Sequence, residues 1–478
     1  MKTAFKIACL FATFLIVPAT AQQTTPPKSA GRAPANAVQE PGSHKLLHDV
    51  AADVSPDQMR ANLTALVGFG TRHSLSDRSS KTRGIAAAQD WVKARFARIN
   101  SDCGRCLEIV TPSENFTGNR VPVSTGFMDV LAIQKGTTDP DRVVVIAGHL
   151  DSRNTDIMDS VHDAPGADDD GSGTAAVLEA ARVLSTRKFP ATIVYAVLTG
   201  EEQGLYGGTV LAHYARDQHW NVEADLNNDI IGNSLGGDGV VDTTHVRVFS
   251  EGTRDLETEA EAKGIRYNGG EIDSPSRNLA RFMVTLGERY LTNFHVKMIY
   301  RTDRYGRGGD QNPVLQAGYP AVRVTEAKEN YTREHQTVRT ENGIAYGDVL
   351  GAVDFAYLAQ VTRLNIVTLA ALAMAPAPPE VGIAGAVTYD TTLSWKPVAG
   401  ASGYRAWWRD SLDPDWTHSW TADPGAASIK LARVNIDDWL FGVSSLSADG
   451  YESPVAFPGT AGVQGANLTT APQPAPPK

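Results

Sequence analysis

The stretch from Arg142 to Gly204 constrains the fold of this chain more than any other. A β-branched run at residues 143–146 leads to His149, and the acidic triplet 168–170 and the pair Glu201-Glu202 follow. Unpaired like charges a few ångströms apart are costly, so this many carboxylates beside a histidine indicate bound divalent cations. The sequence therefore predicts a metal site at the ends of successive buried strands.

Composition limits the classes of partner. The chain has 478 residues and a formal net charge of −10, with 42% hydrophobic and 21% charged residues. These proportions are typical of a soluble globular protein. Nucleic acids and anionic membrane surfaces both require concentrated Lys and Arg, so we expect neither as a partner. The oligomeric state cannot be derived from the sequence.

The amino terminus predicts export. Lys2 and Lys6 precede an apolar run at 7–17, and Ala19-Thr20-Ala21 has the small-x-small pattern of a signal-peptide cleavage site. The run is too short to span a bilayer, so we expect residues 1–21 to be removed and the protein to be periplasmic or secreted. Residues 22–45, rich in Pro, Ala, Thr and Gln, predict a disordered leader.

Two cysteines remain after the predicted cleavage, Cys103 and Cys106. A redox dithiol and half of a zinc site are alternatives for this pair. In an exported chain with no second cysteine pair, the spacing favours a structural disulfide.

Apolar periodicity predicts an α/β protein with a mostly parallel sheet, because strands and helices alternate along the chain. We predict strands at about 127–134, 142–150, 192–199 and 245–250, and helices at about 172–186, 208–217, 254–263 and 347–373. Functional groups in such sheets gather beyond the carboxyl ends of the strands, where His149, Glu201 and Glu202 fall.

A change of composition marks a second, smaller domain after the Pro-rich segment that follows Met374. The segment 376–458 has alternating strand-like runs and contains six of the eight tryptophans: Trp395, Trp407, Trp408, Trp416, Trp420 and Trp439. This pattern predicts a small β-sandwich. Trp395 and the run Gly442-Val443-Ser444-Ser445 resemble a fibronectin type III domain. Residues 459–478 predict a disordered tail.

Zinc accepts imidazole nitrogen and carboxylate oxygen, and a bridged pair of zinc ions needs about two further protein ligands per metal. The candidate ligands are His149, Asp169, Glu202, Asp229 and His335. Asp151 lies two residues after His149 on an extended segment, so it is placed to orient the imidazole. Of Glu201 and Glu202, we expect one to bind metal and the other to act as general base.

Four motifs in order resemble the bacterial di-zinc aminopeptidases, co-catalytic zinc exopeptidases with a phosphorylase/hydrolase-like fold. They are Gly148-His149-Leu150-Asp151-Ser152, the segment Ala164 to Gly173, the segment Thr199 to Gly207, and Asn228-Asp229-Ile230-Ile231-Gly232. The resemblance covers roughly residues 46–373 and implies a three-layer α/β/α peptidase domain, which we predict at residues 46–375. It further implies that His149 and Asp229 hold one zinc, that Glu202 and His335 hold the other, and that Asp169 bridges both.

The leading functional prediction is a secreted aminopeptidase that hydrolyses the amino-terminal residues of peptides, with Glu201 as the base that activates the water bridging two zinc ions. A carboxypeptidase of the same fold is an alternative, because Arg301, Arg304 or Arg307 could bind a substrate carboxylate. A single-zinc glutaminyl cyclase is opposed by the Asp-Asp-Asp-Gly-Ser-Gly loop. A catalytically silent binding protein would require a broken set of ligands.

Overall fold

The structure is a computed structural model that describes residues 44–459. Its helices are α1 (Lys45–Ala52), α2 (Pro56–Val67), α3 (Ile85–Asp102), α4 (Gly171–Leu184), α5 (Glu201–Gly204), α6 (Tyr206–Asp217), α7 (Glu259–Asn268), α8 (Pro275–Tyr290), α9 (Gln311–Gln316) and α10 (Phe355–Met374). The predicted signal peptide, most of the predicted leader and nearly all of the predicted tail lie outside the described residues.

The strands fall into a large central sheet and several small ones. They are β1 (Glu108–Val110), β2 (Ser113–Gly118), β3 (Val121–Met128), β4 (Val130–Gln134), β5 (Asp139–His149), β6 (Ala191–Leu198), β7 (Asn221–Asn228), β8 (His245–Ser250), β9 (His295–Ile299), β10 (Ala321–Glu326), β11 (Arg339–Glu341), β12 (Ile344–Tyr346), β13 (Val381–Ala384), β14 (Thr391–Trp395), β15 (Gly403–Asp410), β16 (His418–Thr421), β17 (Ser428–Leu431) and β18 (Trp439–Leu446).

The central sheet has eight strands in the order β1-β4-β6-β5-β7-β10-β8-β9. Its four middle strands, β6, β5, β7 and β10, run parallel to one another. Antiparallel strands flank this group, β4 beside β6 and β8 beside β10. Because the middle strands share one direction, their carboxyl ends meet at one edge of the sheet.

Alternating side chains give the sheet two apolar faces. On β5, Val144 and Ile146 belong to the larger core, which includes residues of α4 and α10. Val143 and Val145 point to the other core, which is completed by residues of α6 and α9. Period-two alternation places such neighbours on opposite faces. The predicted three-layer α/β/α architecture is thereby confirmed.

Helix α10 has the length and apolar composition of a membrane-spanning helix, but 83% of its most apolar 18-residue segment is buried inside the protein. It packs against α1, α4 and β5. In this fold it therefore serves as a core helix, which accounts for its apolar composition.

Two strands that position the site, β7 and β10, were absent from the sequence prediction. The sequence of β7 is Asn-Val-Glu-Ala-Asp-Leu-Asn-Asn, yet seven of its eight residues are buried. Distant partners satisfy the polar side chains: Glu223 accepts from Arg142 at 2.7 Å and the Asn227 amide donates to Gln311 at 3.1 Å. Apolar Val222, Ala224 and Leu226 alternate with these polar residues, which is the pattern of a half-exposed strand, and the prediction overlooked it.

Several predicted boundaries were wrong, and local hydrogen bonds explain them. Helix α7 begins at Glu259 rather than near 254, because Thr258 and Glu261 form a capping box. Helix α10 begins at Phe355 rather than 347, since the Asp354 carboxylate accepts from the first backbone N–H groups. The strand predicted at 127–134 is two strands, divided at Asp129.

Cys103 and Cys106 form a disulfide, as predicted. The bond closes the turn that follows α3 and precedes β1. Both cysteines pack against the larger core. The pair therefore has a structural position, at a distance in sequence from every predicted site residue.

The carboxy-terminal segment contains two three-stranded antiparallel sheets, β13-β14-β17 and β16-β15-β18. Side chains of both sheets share a separate apolar core, which includes Leu393, Trp395, Tyr404 and Phe441. This arrangement is the predicted small β-sandwich. Its assignment to the fibronectin type III class stays a prediction.

Buried ion pairs join the sandwich to the α/β part. The Asp273 carboxylate accepts from Arg281 at 2.7 Å and from Arg409 of β15 at 2.8 Å. The Trp416 indole donates to Asn278 Oδ1 at 3.2 Å beside this cluster. Asp273 and Arg409 are both almost fully buried. The two parts are therefore held by specific contacts as well as by the chain that connects them.

Replacing Arg409 with Met should lower the free energy of unfolding by about 3 kcal/mol, because removing one partner leaves a buried carboxylate short of a counter-charge. Urea unfolding would measure the loss. Lys396→Met is the control, since it breaks the exposed Lys396–Glu380 pair and should change stability little. Equal stability of the two variants would contradict the role given to Asp273 and Arg409.

Candidate metal centre

The predicted site residues meet at the carboxyl edge of the four parallel strands. His149 is the last residue of β5, and Asp229 follows β7 directly. Glu202 lies in the short helix α5 just beyond β6, and His335 lies in the loop that follows β10. Asp169 approaches from the loop that precedes α4. Four strand ends and one loop thus bring all five candidate ligands to one place.

Asp169 lies between the two histidines. Its Oδ1 is 3.1 Å from His149 Nε2, and its Oδ2 is 2.9 Å from His335 Nε2. Each carboxylate oxygen therefore faces a different imidazole. This is the placement required of a carboxylate that bridges two metal ions.

Each histidine faces one further carboxylate. Asp229 Oδ1 is 3.9 Å from His149 Nε2, and Glu202 Oε1 is 3.3 Å from His335 Nε2. The donor set is one histidine and one carboxylate on either side of Asp169. Imidazole nitrogen and carboxylate oxygen are donors that zinc accepts.

Two of these donor atoms are buried without a hydrogen-bond partner among the described residues. They are His149 Nε2 and Glu202 Oε1. Buried polar atoms are almost always paired, so orphaned atoms that face a common centre call for another explanation. A metal ion on each side of Asp169 accounts for one of these atoms, so the donor set fits zinc.

Electrostatics also favour positive charge among these carboxylates. Burial alone would lower the pKa of His335, but Glu202 and Asp169 raise it to about 11. Burial would likewise raise the pKa of Asp169, yet His335 and His149 hold it well below its usual range. The carboxylates therefore favour the protonated, positively charged form of the imidazoles. Bound divalent cations would supply this positive charge in place of the protons.

Asp151 supports the site in two ways. Its backbone carbonyl accepts from His149 Nδ1 at 3.0 Å, whereas its carboxylate Oδ1 is 3.6 Å from that nitrogen. The backbone carbonyl, rather than the carboxylate expected to orient the ring, is thus the nearer partner of His149 Nδ1. This contact leaves Nε2 free to bind metal. The carboxylate accepts from the backbone N–H groups of Gly200 at 2.8 Å, Glu201 at 3.3 Å and Glu202 at 3.2 Å.

The turn that Asp151 holds places Glu201 at the metal centre. Gly200 has φ 99°, and a Cβ there would lie 2.3 Å from the Phe127 ring, so the turn requires glycine. Burial raises the pKa of Glu201 well above its usual value, Asp229 and Glu202 raise it further, and His149 opposes them. A carboxylate with a raised pKa is a stronger base than an ordinary glutamate.

Asp170 caps helix α4. Its carboxylate accepts from Gly173 N at 2.8 Å and from His149 N at 3.0 Å. The peptide between Asp169 and Asp170 is cis. Asp170 therefore links the start of the helix to the end of β5.

Three residues at the site were missed by the sequence analysis: Arg323, Asp348 and Glu334. Arg323 is fully buried and donates to Asp229 Oδ2, which leaves Oδ1 toward His149. The Asp348 carboxylate accepts from the backbone N–H groups of Asp168 and Asp169 at 2.8 Å. These contacts span 94 to 180 positions of sequence, so no local motif could reveal them.

Glu334 is a second glutamate beside His335. One of its carboxylate oxygens lies within 4.8 Å of donor atoms of Asp169 and His335, a grouping that could itself hold a metal. Each of the two glutamates has one oxygen without a hydrogen-bond partner among the described residues, but Glu334 is paired with Arg307, whereas Glu202 Oε1 lies 3.3 Å from His335 Nε2. We therefore favour Glu202 as the metal ligand on this side.

The arginines considered for a substrate carboxylate are differently placed. Arg307 pairs with Glu329 at 2.8 Å and with Glu334. Arg304 lies 3.7 Å from each of the same two glutamates. Arg301 is exposed. Acidic neighbours thus neutralise Arg304 and Arg307, two of the three arginines considered for this role.

Comparison with known proteins agrees with a peptidase metal centre. The sequence profile of peptidase family M28 matches residues 129–349. A probable zinc metalloprotease of the fungus Pyrenophora tritici-repentis is 39% identical over 455 residues, covering 93% of this chain and 94% of the relative. A probable zinc metalloprotease of Pyricularia oryzae is 41% identical over 429 residues, covering 86% and 84%.

Among solved structures, the Legionella pneumophila LapA aminopeptidase matches 69% of this chain and 75% of its own, with 18% identity and a TM-score of 0.48. The family profile and the sequence relatives define the class as a zinc metallopeptidase. The chain belongs to peptidase family M28. The relatives with 34–41% identity are fungal, so the bacterial part of the predicted resemblance is not confirmed.

Proposed function

We propose that this M28 peptidase is an aminopeptidase that uses two zinc ions. The observation that carries the proposal is the position of Asp169, whose two oxygens face the two imidazoles at 3.1 and 2.9 Å. We assign His149 and Asp229 to one zinc, Glu202 and His335 to the other, and Asp169 to both. The observed distances support the same assignment that the family resemblance implied.

The protein's own residues would carry the proton transfers. Bound zinc would supply a Lewis acid for the scissile carbonyl and would make water more acidic at neutral pH. Glu201 accepts a proton from the attacking water and returns it to the leaving amine. Asp151 holds the turn that positions Glu201, and Arg323 fixes the orientation of Asp229.

The charges around the site favour an aminopeptidase over a carboxypeptidase. A carboxypeptidase needs a free cationic group for the substrate carboxylate, and here Arg304 and Arg307 face Glu329 and Glu334. The substrate's ammonium group, in contrast, is attracted to a carboxylate-rich site. The silent binding protein is opposed by a donor set that has every member in place.

Export is part of the same proposal. The amino-terminal pattern of Lys2, Lys6 and an apolar run supports a signal peptide. The Cys103–Cys106 disulfide supports an oxidising compartment, where such bonds persist. We therefore propose that the enzyme acts on peptides in the periplasm or outside the cell.

A matched panel of substrates tests the polarity of the reaction. Amino-acid amides and short peptides would be offered with a free amino terminus and with that terminus acetylated. We expect release of the first residue from the free-amine substrates and no cleavage of the acetylated ones. Release of carboxy-terminal residues from acetylated peptides would contradict the proposal and favour the carboxypeptidase.

A further inference from the structure

We propose that the Glu334 carboxylate binds the α-ammonium group of the substrate. This inference rests on the proposed aminopeptidase function and adds a residue that selects for a free amino terminus. It arises from the position of Glu334 beside His335 and from one oxygen of its carboxylate, which has no hydrogen-bond partner among the described residues.

The first support is position. Glu334 directly precedes His335, and one of its carboxylate oxygens lies within 4.8 Å of donor atoms of Asp169 and His335. The α-amino nitrogen of a peptide is two bonds from the first carbonyl carbon. A group that binds it must therefore lie a few ångströms from the atoms that hold the reacting carbonyl, as Glu334 does.

The second support is an unpaired oxygen. Glu334 is 7% exposed, and its Oε2 has no hydrogen-bond partner among the described residues. It lines a small cavity together with Asp169 and Asp348. A buried carboxylate oxygen without a donor is costly, and an ammonium N–H would satisfy it with a charge-assisted hydrogen bond.

The third support is that Glu334 is held in place. Its Oε1 contacts Arg307 Nη2 and lies 3.7 Å from Arg304 Nη1. Glu329 anchors the same pair of arginines and also accepts from Arg247 at 2.6 Å. This network fixes one oxygen of Glu334 and leaves the other for a ligand, so little ordering is needed on binding.

The other acids of the site are less suited to this role. Asp169, Asp229 and Glu202 face imidazole nitrogens and form the donor set for metal. Asp348 is occupied by backbone N–H groups of the 168–169 loop. Glu334 combines a buried, unpaired oxygen with a position outside the metal donor set that we assign.

The test uses two metal-binding probes that differ in one group, leucine hydroxamate and its des-amino analogue, 4-methylpentanoyl hydroxamate. Inhibition constants would be measured on zinc-loaded protein, with zinc content determined for every variant. In Glu334→Gln the amino-acid hydroxamate should bind about 10- to 100-fold more weakly, the range expected for one hydrogen bond to a charged group. The des-amino probe should bind as it does to the parent.

Two variants guard against a general disturbance. Glu334→Asp keeps the charge on a shorter side chain and should lose less affinity for the amino-acid probe than Glu334→Gln. Glu288→Gln replaces an exposed glutamate of helix α8 that lies outside the arginine network, and it should leave the ratio of the two inhibition constants unchanged.

Loss of zinc from Glu334→Gln would overturn the inference, because it would make Glu334 a metal ligand. Equal weakening of both probes would also overturn it, since the effect would then not involve the amine. If the parent protein cleaves free-amine substrates and either result is obtained, the inference fails and the aminopeptidase function stands. If the parent cleaves no free-amine substrate, both fail together.

Discussion

Replacing Glu201 with Gln is expected to lower turnover by about 100- to 10,000-fold, the contribution that a general base commonly makes. The amide is close to the carboxylate in shape but cannot accept the proton of the attacking water. Zinc content should remain that of the parent, because Glu201 is not one of the five residues that we assign as zinc ligands. Steady-state kinetics and metal analysis of the same preparation would measure both quantities.

Glu288→Gln is the matched control, since Glu288 is an exposed glutamate of helix α8. It should leave turnover and zinc content unchanged. If Glu201→Gln retained most of the activity, the role of base would pass to another residue. If it lost zinc instead, Glu201 would be a metal ligand, and the assignment of Glu201 as base and Glu202 as ligand would be wrong.

Replacing His335 with Ala should weaken one metal site selectively and reduce activity to a low level. His335 Nε2 is the imidazole donor on the Glu202 side of Asp169, and that side would keep two carboxylates and no nitrogen. The other side keeps His149 and Asp229 and should still bind zinc. Zinc titration of the metal-free variant would resolve the two affinities.

His295→Ala is the control for this prediction, because His295 is another histidine in the same half of the chain. It begins strand β9 at the edge of the central sheet, is exposed, and has the His245 ring 5.6 Å away. Its replacement should leave both metal sites intact. A site emptied by His295→Ala and retained in His335→Ala would contradict the assignment.

The part of the site that lies on apolar strands could be predicted from the sequence. Residues 143–146 form a buried strand, so the position of His149 at its end follows from the pattern. The glutamates after β6 follow in the same way. The Asp169 loop was predicted from its glycines and acids, because the start of a helix favours both.

The part that depends on distant contacts could not be predicted. Arg323 belongs to the site because it reaches Asp229 across 94 positions, and β10 was not predicted as a strand. Glu334 looks like any other charged loop residue in the sequence. Its burial and its pairing with Arg307 arise only in the folded structure, where the loop after β10 lies at the metal centre.

Zinc titration of the metal-free parent protein, with activity followed at each addition, tests the central claim most directly. The account predicts two zinc ions per chain at saturation, because Asp169 presents one oxygen to each histidine. Full activity should require the second equivalent. Full activity at one zinc per chain, or without zinc, would contradict the account.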